Sequence, residues 1–228
     1  MGLEDSANDL GDATSAAPET PRPGAGIEPG SAVLVRGPAM SGKFEFVLRA
    51  LATLGDRSIL VSTTNNAESA RSRFAAFADP DHLGVVDCVT RAHDQHVEDS
   101  EFVRYASSPQ NLTQVGVKFT DLVETVRESD PVSAEGGDAI AVGVHSLSTL
   151  LMYWEVEQVY QFVRVLLTQA QSMGWTVVVV LDDAATDEQT VNTLSQPFDA
   201  VVNTRTTDTG REFRLRTRQG GVGEWTDF

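Results

Sequence analysis

From residue 30 onward, short apolar runs alternate with longer stretches in which apolar positions recur every three or four residues. The runs cover 32–36, 58–62, 85–89, 139–144, 176–181 and 200–203, with a last one at 213–217. Most are continuously apolar rather than alternating, which predicts strands covered on both faces. The stretches between them, 43–54, 66–77, 112–127, 155–172 and 187–194, have the period of helices with one buried face. Strand and helix in regular alternation predict a parallel sheet with crossover helices on both sides. Gly174 and Thr186 supply a C-terminal and an N-terminal stop signal for the last two helices. Residues 201–218 predict a hairpin closed near Asp208 and Gly210, which adds antiparallel strands at one edge. No internal repeat is present.

Two regions stand outside this pattern. Residues 1–29 are rich in Ala, Gly, Pro, Asp and Glu with almost nothing to bury, and read as a disordered acidic tail before a single domain over 30–228, with structure beginning at Ile27 or just after Gly30. Residues 79–108 mix charges and histidines and read as an irregular segment or mobile flap.

Composition narrows the function classes. The 228 residues include 33 acidic and 17 basic side chains, a net charge of -16, which disfavours nucleic acid and anionic membrane as direct partners. Only Lys43 and Lys118 are lysines; every other basic side chain is Arg. Acidic excess with scarce lysine resembles proteins of salt-accumulating halophiles, where molar salt shortens the Debye length to about 3 Å and self-repulsion is tolerated. Cys88 is the only cysteine, so no intrachain disulfide or Cys-rich zinc cluster can form. Its neighbours Val85, Val86 and Val89 predict a buried strand thiol. No run approaches the length of a spanning helix, and residues 1–25 carry Asp5, Asp9 and Asp12 where a signal peptide would be basic and then apolar. A cytoplasmic location is expected.

The chemistry concentrates at residues 37–44. Gly37, Pro38, Ala39, Met40, Ser41, Gly42 and Lys43 fit the phosphate-loop pattern G-x-x-x-x-G-K, but Phe44 stands where Ser or Thr should follow. The context fits: Val33, Leu34 and Val35 run into the loop, and Phe46, Val47, Ala50, Leu51 and Leu54 give the next helix an apolar face. Gly37 and Gly42 let the backbone curl so that N–H groups point inward, and the helix start adds its positive dipole end. Lys43 then reaches the β and γ phosphates of ATP or ADP. Phe44 has no oxygen for Mg²⁺, so metal-dependent hydrolysis suffers more than binding. These eight residues are the expected cofactor-binding set, and no metal ligand is assigned.

Strand, loop and helix together resemble the RecA superfamily, and the chain is most similar to archaeal KaiC-like proteins. Besides the loop, Asn111-Leu112-Thr113 with Val115-Gly116-Val117, the stretch from Val144 through His145 and Ser146 to Leu150, and Phe198-Asp199-Ala200 with the strand from Arg214 to Gly220 carry the resemblance. It implies a RecA-like three-layer α/β sandwich with a mainly parallel central sheet and an antiparallel C-terminal edge. It also marks two departures. The family's Walker B carboxylate aligns with His145, and the pair of glutamates that activates water aligns with the segment Ser62-Thr63-Thr64-Asn65-Asn66. With Phe44, these are three losses in one catalytic apparatus, so no catalytic residue is assigned.

Other constellations have two readings each. Asp182 and Asp183, ending a strand at the ligand-binding edge, either replace the lost acid or form a solvated strand end or helix cap. His93 and His96, with Asp94 between them, have metal-ligand spacing on a helix but otherwise read as a polar loop. Arg214, Arg216 and Arg218 lie on one face of the last strand, as an inter-subunit arginine finger or, more simply, as partners of surface acids. Met152, Tyr153 and Trp154 pack at a helix start or form a protein-contact patch. The expected function is nucleotide-dependent regulation or signalling through a protein partner or homo-oligomer, with hydrolysis impaired or absent. The alternative is a pseudo-ATPase scaffold that binds no nucleotide, and an active ATPase would need Asp182 or Asp183 as a substitute acid.

Overall fold

A computed structural model describes residues 23–93, 96–129, 139–218 and 220–228. In chain order the elements are β1 (Ala32–Gly37), α1 (Lys43–Leu54), β2 (Arg57–Ser62), α2 (Ala67–Phe74), β3 (Leu83–Asp87), β4 (Val103–Tyr105), α3 (Leu112–Glu128), β5 (Ile140–His145), α4 (Leu147–Leu150), α5 (Val156–Ser172), β6 (Thr176–Asp182), α6 (Glu188–Ser195), β7 (Ala200–Thr206), β8 (Arg211–Thr217) and β9 (Thr226–Asp227). They build one nine-stranded sheet in the order β4-β3-β2-β5-β6-β1-β7-β8-β9. Pairing is parallel from β4 to β7 and antiparallel across β7-β8 and β8-β9. This is a RecA-like sandwich with an antiparallel C-terminal edge.

The continuous apolar strands sit where burial on both faces requires them. Val33 and Val35 of β1 point into one core, with Phe46, Val47, Leu51 and Phe74 of α1 and α2. Leu34 points into the other, with Phe119, Leu122, Val163 and Leu167 of α3 and α5. Each such side chain contributes about 1.5–3 kcal/mol on removal from water, so the sheet is held from both layers. Gly143 in the centre of β5 lies under α1, where an added Cβ would stand 3.0 Å from Leu51 and 3.2 Å from Val47.

The structure shifts several boundaries. Residues 1–22 of the expected tail lie outside the described residues, but packing begins before residue 30: Ile27 is buried against the core beside β1, and Gly24 lies against Thr53 and Leu54. β3 starts two residues earlier than its apolar run suggested, because Gly84 is a strand residue on which Leu122 closes. The described residues of segment 79–108 include β3 and the edge strand β4, joined by irregular chain and pinned where Arg104 donates to Asp121 and Thr125 of α3 and where Ala106 N–H donates to the Asp87 carbonyl. The cap of α6 is Asp187, accepting from Thr190 N–H at 2.9 Å, rather than Thr186, whose hydroxyl donates to the Asp182 carbonyl. Gly174 closes α5 with φ 73°.

Candidate functional site

β1 delivers the chain to the C-terminal edge of the sheet, where the loop turns into α1. Gly37 has no room for a side chain, since a Cβ there would be 2.4 Å from the Thr204 carbonyl oxygen of β7. Gly42 takes φ 84°, a left-handed conformation that favours glycine, and Met40 also has positive φ at 64° while remaining almost fully exposed. Ser41 is fully buried and locks the loop to the sheet: its Oγ lies 2.7 Å from Thr204 Oγ1 and donates to the Pro38 carbonyl at 2.8 Å. Gly42 offers no side chain to cap α1. Among the described residues, no protein acceptor bonds the N–H groups of Gly42, Lys43 or Phe44, so these donors and the helix dipole face the loop mouth.

Lys43 is buried and its ammonium curls back over the loop. Nζ donates to the carbonyls of Gly37 at 2.6 Å and Pro38 at 2.5 Å, and stands 3.5 Å from Asp182 Oδ2. Burial pushes its pKa below the ordinary lysine value; Asp182, and then Asp183, pull in the opposite direction. Asp182 faces Gly37 in the β1-β6 register and is further held by Ala184 N–H. Asp183 pairs with Arg36 at 4.0 Å. The carboxylate beside the loop is therefore a counter-ion of the lysine, a role that sequence reasoning did not assign to it.

Phe44 is buried, with its ring 4.7 Å from that of His145 at the end of β5 and the Arg73 guanidinium 5.4 Å from its centroid. His145 Nδ1 lies 2.8 Å from Thr64 Oγ1, and Asn65 donates to the same hydroxyl. Burial, reinforced by Lys43 and Arg73, pushes the imidazole down to about 4, so it is neutral at physiological pH. The three positions predicted to have lost catalytic groups thus meet in space as one wall of ring and hydroxyl groups. That wall is poor in Mg²⁺ ligands: Phe44 offers only carbon, His145 a neutral imidazole, and Asp182 is engaged by Lys43. Among the described residues, no group of three His, Cys, Asp or Glu side chains is arranged to hold a metal ion.

The remaining constellations lie apart. His93 bonds the Val89 carbonyl at 2.9 Å, while Asp94 lies outside the described residues. Cys88 is buried, and its thiol is pushed up to about 12 by burial. Arg214 stacks with Arg205 on Trp225, at 4.7 and 4.0 Å, and Arg218 donates to the Gln196 carbonyl. Among the described residues none of Arg214, Arg216 and Arg218 pairs with a carboxylate. Trp154 packs on the core, whereas Met152 and Tyr153 are exposed. An apolar groove of about 820 Å³ runs between α3 and α5, lined by Val117, Phe119, Trp154, Phe162 and Val165. No helix of the described residues is long and apolar enough to cross a membrane.

Comparison with known proteins places this arrangement. The uncharacterized protein PH0321 of Pyrococcus horikoshii, crystallised in complex with an unknown peptide, superposes with a TM-score of 0.60 at 16% identity, over 84% of this chain and 85% of that one. The KaiC-like protein PH0186 of Pyrococcus horikoshii superposes with a TM-score of 0.55 at 12% identity, over 88% and 82% of the two chains. These likenesses establish a KaiC-like, RecA-type fold. No protein with a curated description matches the chain. A family model matches residues 30–204, most of the described domain and the whole loop, and the protein therefore belongs to DUF7504, a family of unknown function.

Proposed function

We propose that the protein is a nucleotide-binding regulatory or signalling protein, in which ATP or ADP occupies the loop and is hydrolysed slowly or not at all. The observation that carries this reading is the set of unbonded N–H groups at Gly42, Lys43 and Phe44, beside a buried lysine whose ammonium is within reach of the loop mouth. Buried or semi-buried donors without acceptors cost stability, and an anion at a helix start satisfies them. Hydrolysis is opposed by the neutral wall of Phe44, His145 and Thr64, which offers no carboxylate to a metal or an attacking water.

Titration with ATP and ADP in molar KCl, with and without Mg²⁺, tests the reading. Binding in the micromolar to millimolar range that Lys43→Ala abolishes is the expected result. No binding at millimolar nucleotide overturns it, and repeated turnover abolished by Lys43→Ala overturns the claim of absent hydrolysis.

A second reading, a scaffold that docks a protein partner, is favoured by the groove between α3 and α5. Val117 and Val165 are exposed there, Asp121 and Glu124 flank it, and no Lys or Arg lines it. These features suit an amphipathic segment with basic flanks from another protein. That PH0321 was crystallised with a peptide accords with a peptide-binding role but does not locate it. Val165→Glu should abolish capture of such a peptide and leave nucleotide binding intact.

A further inference from the structure

A bound phosphate chain carries several negative charges, and the described residues around the loop offer few uncommitted cations to meet them. Lys43 is opposed by Asp182 at 3.5 Å, Arg36 stands 4.0 Å from Asp183, and Arg211, packed over Gly42, is 2.8 Å from Glu45. Each of these charges already faces a carboxylate. Arg73 of α2 differs: it is exposed, and among the described residues its guanidinium has no carboxylate partner and no hydrogen bond. Its guanidinium instead lies over the face of Phe44, 5.4 Å from the centroid, with His145 packed 4.7 Å from the same ring.

Phe44 thus occupies the position at which a hydroxyl would hold Mg²⁺ and uses its ring to support an arginine. We infer that Arg73 is the counter-ion of the bound phosphates in place of a metal, with Phe44 as its platform, so that the site takes a nucleoside di- or triphosphate free of Mg²⁺. A guanidinium suits this role because it presents planar, forked donors to phosphate oxygens and stacks on an aromatic face at the same time. It is also permanently charged, so unlike a metal it cannot be lost by dilution or chelation. The field of Arg73 is felt at His145, where it joins burial and Lys43 in holding the imidazole neutral. A neutral ring there avoids a third cation crowding the stack.

The inference rests on the nucleotide-binding reading, and the experiment separates the two. ATP and ADP are titrated calorimetrically into the full chain in KCl, once with EDTA and once with excess Mg²⁺, using the wild type and Arg73→Gln, Arg73→Lys and Lys43→Ala. The wild type should bind ATP in EDTA at least as tightly as with Mg²⁺. Arg73→Gln should weaken ATP in EDTA by about tenfold or more, the scale of a lost charge-assisted hydrogen bond, and should weaken ADP less. Arg73→Lys, which keeps the charge but not the fork, should fall between the two. A thermal midpoint in Arg73→Gln lowered by no more than about 4 °C, the scale of the lost contact with the Phe44 ring, would show that the weakened binding does not come from a disrupted fold. Wild-type binding that requires Mg²⁺, or an Arg73→Gln protein that binds ATP as the wild type does while Lys43→Ala does not, overturns the role of Arg73 and leaves nucleotide binding standing. Absence of binding by every variant, the wild type included, overturns both.

Discussion

Replacing Phe44 with threonine restores the hydroxyl that a phosphate loop ordinarily carries, and its consequences follow from the packing. The ring is 8% exposed, so its removal forfeits most of the roughly 1.5–3 kcal/mol of a buried phenylalanine. The contact with His145 at 4.7 Å contributes about 0.5–1.5 kcal/mol, and Arg73 over the ring about 0.5–1 kcal/mol. Threonine returns part of this through its methyl group, leaving a net loss of roughly 2–4 kcal/mol. At this chain length, about 2–4 °C per kcal/mol converts the loss to a fall in Tm on the order of 5–15 °C. The second expectation concerns chemistry. Phe44→Thr should gain no Mg²⁺-dependent turnover, because His145 remains neutral, the turn from Ser62 to Asn66 carries no carboxylate, and Asp182 stays paired with Lys43. Thermal denaturation and phosphate release in KCl read the two effects separately. A loss below about 1 kcal/mol would show that Phe44 is not a structural wall. Repeated Mg²⁺-dependent turnovers would show that the hydroxyl alone was missing.

Three further outcomes follow from neighbouring residues. His145 is neutral in the fold down to about pH 4 but protonates near 6.5 when unfolded, so its contribution is fully present above pH 6.5 and is lost as pH falls toward 4. Wild type should lose about 3 kcal/mol relative to His145→Asn across that window, and parallel pH dependences in urea denaturation would refute the burial of the imidazole. Asp87 is fully buried and accepts from Ala67 N–H, Val89 N–H, Thr90 N–H and the Thr90 hydroxyl at 2.6–2.9 Å. Asp87→Ala orphans these donors and should cost about 3 kcal/mol or more, whereas a loss under about 1 kcal/mol in urea denaturation would contradict the network. Lys43→Met keeps the stem and removes the desolvated charge, leaving Asp182 near the surface; stability should be unchanged or higher while nucleotide binding is lost. A fall of more than about 2 kcal/mol would make Lys43 a structural strut.

The sheet and the loop were legible because their signals are local. The bounds of α1, Lys43–Leu54, follow from the glycines before it and the spacing of Phe46, Val47, Ala50 and Leu51. β5 and β6 follow from continuous apolar runs that only a doubly covered strand explains. Less local features were not legible. β4 has three residues and β9 two, too few for any period to show, and each is held by pairing with a neighbour. Val201 to Arg218 reads as a hairpin, yet nothing in it announces that Thr204 fastens Ser41 of the loop. The pairing of Asp182 with Lys43 and the stacking of Arg73 on Phe44 join elements distant in sequence; Arg73 does not stand out in its own segment, and the position of Asp182 at a strand end does not announce its partner. Exposure of Met152 and Tyr153 was likewise undecided by hydrophobicity, since only the turn after α4 determines that Trp154 points inward and they do not.

The electrostatics of the site bear on why a loop without its metal ligand retains its lysine. In a chain of net charge -16, Lys43 is one of only two lysines, and it occupies a buried position where desolvation weakens its charge. Two loop carbonyls and Asp182 offset that cost without giving the ammonium a role in packing, since the apolar face of α1 is already filled by Phe46, Val47, Leu48 and Leu51. A scaffold under no demand to bind anions gains nothing from a buried charge that an apolar residue of equal length replaces at no loss. Its loop would gain as little from unbonded N–H groups at Gly42, Lys43 and Phe44. On the proposed nucleotide-binding reading both features become favourable together, because one anion would satisfy the donors and offer Lys43 an alternative to the carbonyls. On the same proposed reading, the aromatic pair of Phe44 and His145 beside them, 4.7 Å apart, stands where a metal ligand and an acid are expected, and the loop keeps the donors that would hold phosphate.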